Sequence, residues 1–220
     1  MPAKNVIKQY KPNSYYHIYN RGVAKQKIFL DAADYKKFLS YLKLYLMPFN
    51  LQGLSLKVAP SRMLKNYTDE VKLICYCLMP NHFHLLVWQK SIDSINHFMR
   101  SLGTKFSMYF NRRYKRVGPV FQSTYKAVEV ESEEQLIYLS KYIHCNPKDI
   151  LPTGIILEGY KYSSYLNYLG IINQSWVKHE DILEMPFFRG KSLSYKKFVE
   201  ESDERDLIVI KNDLLEDLQG

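Results

Sequence analysis

Apolar residues fall into short blocks along the chain, and their spacing predicts an alternation of strands and helices. Tyr15 to Asn20 is dense in aromatic and β-branched residues and reads as a first strand, closed by Arg21-Gly22, where Gly22 is free to take positive φ. Tyr35, Phe38, Leu39, Leu42, Tyr45 and Leu46 recur at helical spacing. They predict an amphipathic helix over 31–46, with Asp31 as its cap and Met47-Pro48 as its stop. Residues 49–70 carry no clear period and read as a strand or loop with a short helix near Ser61 to Leu64. Val71 to Leu78 and His82 to Trp88, separated by the turn signal Met79-Pro80-Asn81, predict a β-hairpin.

A second amphipathic helix over 93–115 is marked by Ile95, Phe98, Met99, Leu102, Phe106, Tyr109 and Phe110. After the Gly118-Pro119 turn, Val120 to Val130 reads as a strand. Ser132-Glu133-Glu134-Gln135 is a capping-box pattern opening a third helix, whose buried stripe is Leu136, Leu139 and Ile143. Pro147 is expected to end it by disfavouring helical geometry at Asn146. From Ile150 onward the chain reads as an accessory segment: a tyrosine-rich run from Tyr160 to Tyr168, then Trp176 to Phe188, then an acidic helix from Tyr195 to Leu218.

Composition narrows this picture. The net charge of +9 is unevenly placed: residues 1–150 carry 23 Lys and Arg against 10 Asp and Glu, and the remainder 8 against 12. A basic body with an acidic tail suits a polyanionic partner. Nineteen tyrosines and eleven phenylalanines supply faces for base stacking as well as core. No apolar run is long enough to span a membrane, and the start of the chain lacks the apolar region of a signal peptide, so a cytoplasmic protein is expected. Three cysteines without a Cys-x-x-Cys spacing fit reduced thiols.

Chemistry concentrates in Cys75 to Trp88. Side chains two apart on a strand share a face, so His82 and His84 point the same way and are placed to share a divalent cation. The same spacing also fits a plain strand with two satisfied histidines. On the third helix Tyr142 and Asn146 lie four residues apart on one edge of the buried stripe. Together these residues suggest phosphodiester transesterification. A cation on His82, His84 and the Asn146 amide oxygen polarises the phosphate, and Tyr142 attacks it. Spacing alone does not separate Tyr142 from Tyr138, one turn earlier. Arg21, Lys25 and Lys27 beyond the first strand, Arg112, Arg113, Lys115 and Arg116 at the end of the second helix, and Gln122, Tyr125 and Lys126 are candidate DNA contacts.

Met79-Pro80-Asn81-His82-Phe83-His84-Leu85-Leu86-Val87 and Tyr142-Ile143-His144-Cys145-Asn146-Pro147 resemble the single-tyrosine transposases of the HUH superfamily, and specifically their REP-associated branch. Tyr16-His17-Ile18-Tyr19-Asn20-Arg21-Gly22, Val120-Phe121-Gln122 with Tyr125-Lys126, and Tyr162-Ser163-Ser164 with Tyr168-Leu169-Gly170 extend the likeness over about residues 10–190. The resemblance implies an α+β fold: a ferredoxin-like or RRM-like antiparallel sheet with helices on one face, and a mostly helical C-terminal extension. It divides the chain into a catalytic domain over 1–150 and an accessory segment over 151–220. It also implies Tyr142 as nucleophile, Asn146 as the metal-binding amide, and Mg2+ or Mn2+ as cofactor. The implied substrate is single-stranded DNA bearing REP-like or inverted-repeat hairpins, cleaved to a 5′-phosphotyrosine and a 3′-hydroxyl, and a homodimer is among the assemblies such enzymes form. Lys148 stands where the family pattern has an apolar residue. Two other functions use the same surfaces: a replication or mobilisation nuclease of the same superfamily, and an RRM-like binding protein without catalysis.

Overall fold

The structure, a computed structural model, describes residues 9–48, 65–153, 156–188 and 192–201. The short helix expected near Ser61 to Leu64 and the acidic stretch after Glu201 lie outside these residues.

Four strands and two helices build the first half: β1 (Ser14–Arg21), α1 (Ala32–Leu46), β2 (Val71–Met79), β3 (His82–Gln89), α2 (Ser94–Arg113) and β4 (Lys126–Val130). The sheet order is β2-β3-β1-β4 with every neighbouring pair antiparallel. The order β1-α1-β2-β3-α2-β4 with these pairings is the ferredoxin-like arrangement. α1 starts where expected, since the Asp31 carboxylate accepts the backbone N–H of Ala33 and Asp34. α3 (Glu133–Cys145) starts at Ser132, whose hydroxyl accepts from the Gln135 N–H, while Gln135 Oε1 accepts from the Glu131 N–H at 2.7 Å, one residue earlier than a standard capping box.

Helices cover both faces of the sheet, not one. Tyr16, Ile18, Leu73, Phe83, Leu85 and Val87 pack against α1 and α2. Cys75, Cys77, Leu86 and Val130 pack against Leu136, Leu139 and Ile143 of α3 on the other side. A register shift between Leu73 and Cys75 sends both Ile74 and Cys75 to the α3 face, so β2 reads as an unbroken apolar run. The expected strand over 120–130 is shorter than its pattern. It begins only at Lys126, because Phe121 bridges to Gly22 and Gln122 N–H donates to the Arg21 carbonyl, so the segment turns across the end of β1 before joining the sheet.

The chain beyond residue 150 adds to the α3 side of the core. It contributes α4 (Tyr165–Tyr168), α5 (Glu180–Leu183) and α6 (Ser192–Glu200), and residues 162–178 cover the edge of β2 through bonds from Leu78 to Tyr162, Ser164 to Tyr76 and Lys178 to Leu73. α6 holds α3 from behind: the Lys141 ammonium donates to the Glu201 carbonyl at 2.7 Å, and the Tyr195 hydroxyl donates to Ser140 Oγ at 3.0 Å. His144 lies within this contact, with Nδ1 2.7 Å from the Tyr195 hydroxyl and Nε2 2.8 Å from Ser164 Oγ.

Burial pushes the His144 pKa down to about 3. The unfolded chain protonates this imidazole near 6.5 and the folded chain only near 3, so between those values the unfolded state holds more protons. Stability is therefore expected to be flat in this group above pH ~6.5 and to fall by about 1.4 kcal/mol per pH unit below it. Urea midpoints measured at pH 7 and pH 5 check this, and in His144→Asn that part of the slope should vanish.

Gly22 departs from expectation in an informative way. Its φ of −61° is open to any residue. What requires glycine is space, because a Cβ would overlap the Gln26 carbonyl oxygen and sit 2.9 Å from Ile28 Cγ2. Gly22→Ala is expected to cost about 1–3 kcal/mol of stability, read from denaturant midpoints.

Candidate active site

The register of the sheet assembles the site. Arg21 lies opposite His82 and Tyr19 opposite His84, so Arg21, Tyr19 and His17 of β1 share a face with His82 and His84 of β3. β4 places Lys126 opposite Tyr19 on that same face, with its ammonium 5.6 Å from the Tyr19 ring centroid. Phe83 and Leu85 point the other way into the core under α1 and α2 and anchor the strand. α3 lies over this face and brings in the remaining groups.

His82 and Asn146 meet directly, with His82 Nε2 3.2 Å from Asn146 Oδ1. The other nitrogen of His82, Nδ1, is 2.7 Å from Asn81 Oδ1, which fixes the ring with Nε2 toward α3. Asn146 is the C-cap of α3 and keeps right-handed helical angles, φ −49° and ψ −36°, contrary to the expected effect of Pro147. A tight 3-10 turn over Asn146–Asp149 continues the helix and accommodates the proline near its start, where no intrahelical N–H is needed. This turn keeps Asn146 four residues after Tyr142 on one helix edge, and the amide faces His82.

His84 is fully buried, with Nδ1 2.9 Å from His17 Nε2. Burial, then the neighbouring His82, His17 and Arg21 charges, hold its pKa well below the usual histidine value, so it is a neutral imidazole at physiological pH. The half-buried Tyr142 ring stands edge-on to both histidines of that pair, 5.7 Å from His84 and 6.3 Å from His17 between centroids. His82 and His84 themselves are 4.9 Å apart between centroids. Tyr138 differs from Tyr142: it is buried and packs on Phe198 of α6.

Two residues here carried little signal in the sequence. Asn81 reads only as a turn residue, and His17 only as a packed strand residue. Their contacts become visible once β1 is known to pair with β3, which puts His17 diagonal to His84.

The donor set fits a divalent cation. Two ligands of an octahedral ion bound at ~2.1 Å at right angles lie about 3 Å apart, close to the observed separation of His82 Nε2 and Asn146 Oδ1. A metal-binding imidazole must be neutral and is ordinarily held by a partner on its other nitrogen, as His17 holds His84 and Asn81 holds His82. Among the described residues no group of three or more His, Cys, Asp or Glu is placed to hold a metal ion.

The remaining DNA candidates are spread over one end of the sheet. Lys25 and Lys27 are exposed in the loop after β1, next to the β2–β3 turn, where Asn81 Nδ2 is 3.5 Å from the Lys25 carbonyl. Gln122 is exposed beside Arg21. Arg112, Arg113, Lys115 and Arg116 sit at the C-terminal end of α2, on the side of the sheet away from His82 and His84. Arg113 is bound into ion pairs with Asp31 at 2.6 Å and Asp34 at 2.8 Å, which tie α2 to α1. Tyr125 is buried on the α2 side, its hydroxyl bonded to Tyr10 and Asn96. No described helix is long and apolar enough to cross a membrane.

Among solved structures the chain is similar to a REP-associated tyrosine transposase bound to a REP hairpin, with a TM-score of 0.52 and 10% identity over 80% of this chain and 98% of that one. At that identity the likeness is one of fold. No curated protein matches the sequence significantly. The family model described as "Transposase IS200 like" matches residues 10–146, a span that runs from just before β1 through Asn146 and takes in every residue of the His82, His84, Tyr142 and Asn146 cluster. The chain belongs to the IS200-like transposase family.

Proposed function

We propose that this protein is a metal-dependent transesterase of single-stranded DNA that cleaves and rejoins strands next to hairpins through a covalent bond to Tyr142. The observation that carries the proposal is the convergence of Asn146 on His82 with the Tyr142 ring edge-on to His84. A binding module has no use for a half-buried tyrosine beside two such histidines.

In this reading His82, His84 and Asn146 would hold Mg2+ or Mn2+. All three ligands would be neutral, so a bound cation would supply undiminished Lewis-acid polarisation of a phosphate oxygen and a lowered pKa at a nearby hydroxyl. The Tyr142 hydroxyl loses its proton to solvent, and its oxygen attacks phosphorus. A P–O bond to tyrosine forms, the bond from phosphorus to the 3′-oxygen breaks, and the leaving oxygen takes up a proton as a 3′-hydroxyl. The 5′-phosphotyrosine conserves the phosphodiester energy, and attack by a 3′-hydroxyl reverses the step. The orientation of Tyr142 comes from α3, which α6 holds from behind. Arg21 and Lys126, on the same face as the histidines, are placed to receive the flanking phosphates. Lys25, Lys27 and Gln122 extend that path along the end of the sheet, while Arg112, Lys115 and Arg116 are suited to DNA reaching round to the α2 side. The similar solved transposase is bound to a REP hairpin, and a hairpin with a single-stranded flank is the corresponding substrate here.

Incubation of the protein with Mn2+ and a fluorescent hairpin bearing such a flank should yield a protein–DNA adduct that survives denaturing electrophoresis. Binding without any adduct, across hairpins of varied sequence, would favour the non-catalytic reading.

A further inference from the structure

The strands that carry the site have a second side. Phe83, between His82 and His84, and Asn20, between Tyr19 and Arg21, both face α2, and there they border a cavity of about 380 Å³ closed by the loop before β4. Phe83, Met99 and Phe121 give it apolar walls, and Arg100 and Thr104 are exposed at its rim. The loop is fixed in place. Asn20 Nδ2 donates to the Ser123 carbonyl at 3.0 Å, and the Tyr125 hydroxyl donates to Asn96 Oδ1 at 2.6 Å. The volume is at the low end for small-ligand sites, the size of one flat ring system and not of an extended ligand.

Gly103 supplies the second observation. It lies in the middle of the twenty-residue α2, where glycine weakens a helix relative to alanine. Packing does not require it, because a Cβ at this position would meet nothing within 4 Å. The space that a side chain would fill belongs to the cavity. A helix glycine with no protein neighbour to make room for is accounted for by close approach of something else.

We propose that this cavity is a subsite for one unpaired nucleobase of the bound DNA strand, which lies over the half-exposed Phe121 ring and against the α2 backbone at Gly103. Arg100 at the rim suits the phosphate of the same nucleotide. Stacking on aromatic side chains accepts any base, so the subsite holds the strand by its shape more than by its sequence. A strand rounding the sheet at the Gln122 and Lys126 edge is then gripped on both sides of β1 and β3. This rests on the chain acting on DNA as proposed above.

The test uses Gly103→Leu, which fills the cavity from an open helix position without entering the catalytic cluster. The probe is a DNA hairpin whose single-stranded thymidine flank carries one 2-aminopurine at successive positions. The wild type should quench or shift the probe at one flank position. Gly103→Leu should lose that signal and bind the flanked hairpin about tenfold more weakly, with a thermal midpoint equal to or above that of the wild type. Arg100→Gln should weaken binding while leaving the spectral signature in place. Equal affinity in Gly103→Leu, with no flank position responding, would overturn the subsite. Competition by free nucleoside monophosphate as strong as by the strand would equally contradict a base of bound DNA as occupant. Adduct formation with Mn2+, run in parallel on the wild type, separates the two proposals: an adduct without a responding position removes the subsite alone, and a responding position without an adduct removes the transesterase reading alone.

Discussion

Tyr142→Phe is expected to abolish adduct formation, lowering the cleavage rate by about 10³-fold or more, while Tyr138→Phe keeps wild-type activity within a few-fold. The two tyrosines sit one turn apart on the same helix and are chemically identical, so the difference must come from position. Tyr142 is half-buried with its ring edge-on to His84 and His17, whereas Tyr138 is buried with its ring against Phe198 of α6. Replacing the phenol by a phenyl ring at 142 keeps the aromatic contact and removes only the hydroxyl proposed to attack. DNA affinity and the thermal midpoint are therefore expected to stay near wild type, which distinguishes loss of a nucleophile from loss of fold. Gel quantification of adduct at saturating DNA, with binding measured separately, reads both. Residual adduct in Tyr142→Phe at more than a few per cent of wild type would assign the chemistry elsewhere.

The second large effect is on the cation. Removing the metal with a chelator should stop cleavage and spare hairpin binding, and Mn2+ or Mg2+ should restore it. His82→Ala should weaken Mn2+ binding and lower cleavage by about 10²- to 10³-fold. His82 is only half-buried, so its loss leaves the fold intact. Asn81→Ala offers a graded comparison. It removes the 2.7 Å contact that orients His82, with the longer 3.5 Å contact to the Lys25 carbonyl, and keeps the imidazole, so a smaller loss of about 10- to 100-fold in metal affinity is expected. Calorimetric Mn2+ titration of the three proteins orders them as wild type, Asn81→Ala, His82→Ala. An unchanged Mn2+ affinity in His82→Ala would remove that residue from the metal site.

Much of the fold is legible in the sequence because its signals are local. Asp31 and Ser132 announce helix starts, the 3–4 spacing of Phe38, Leu42 and Leu46 marks a helix face, and Met79-Pro80-Asn81 marks the hairpin that carries both histidines. The pairing of β1 with β3 is not local. It is this register that turns His17 into the partner of His84, and nothing within Tyr15 to Asn20 states which strand lies alongside. The second helical layer was hidden for a related reason. The bulge between Leu73 and Cys75 makes β2 apolar on both faces, and a short unbroken apolar strand does not say whether one face or two are covered. Gly22 and Asn146 show where local rules give way to tertiary contact. Gly22 is there to avoid the Gln26 carbonyl, not for positive φ, and Asn146 stays helical ahead of a proline because a 3-10 turn absorbs it. Charge alone also misleads at Arg113, which stands in a basic cluster by sequence and yet joins α2 to Asp31 and Asp34 of the α1 start.

One covalent bond, from Tyr142 to a 5′-phosphate, is the central claim, and mass mapping of the adduct tests it directly. After reaction with Mn2+ and the flanked hairpin, digestion with nuclease and protease should leave a nucleotide attached through its 5′-phosphate to Tyr142, with the complementary fragment released bearing a 3′-hydroxyl. A nucleotide on any other tyrosine, or cleavage products carrying free 5′-phosphates and no modified peptide, would contradict it.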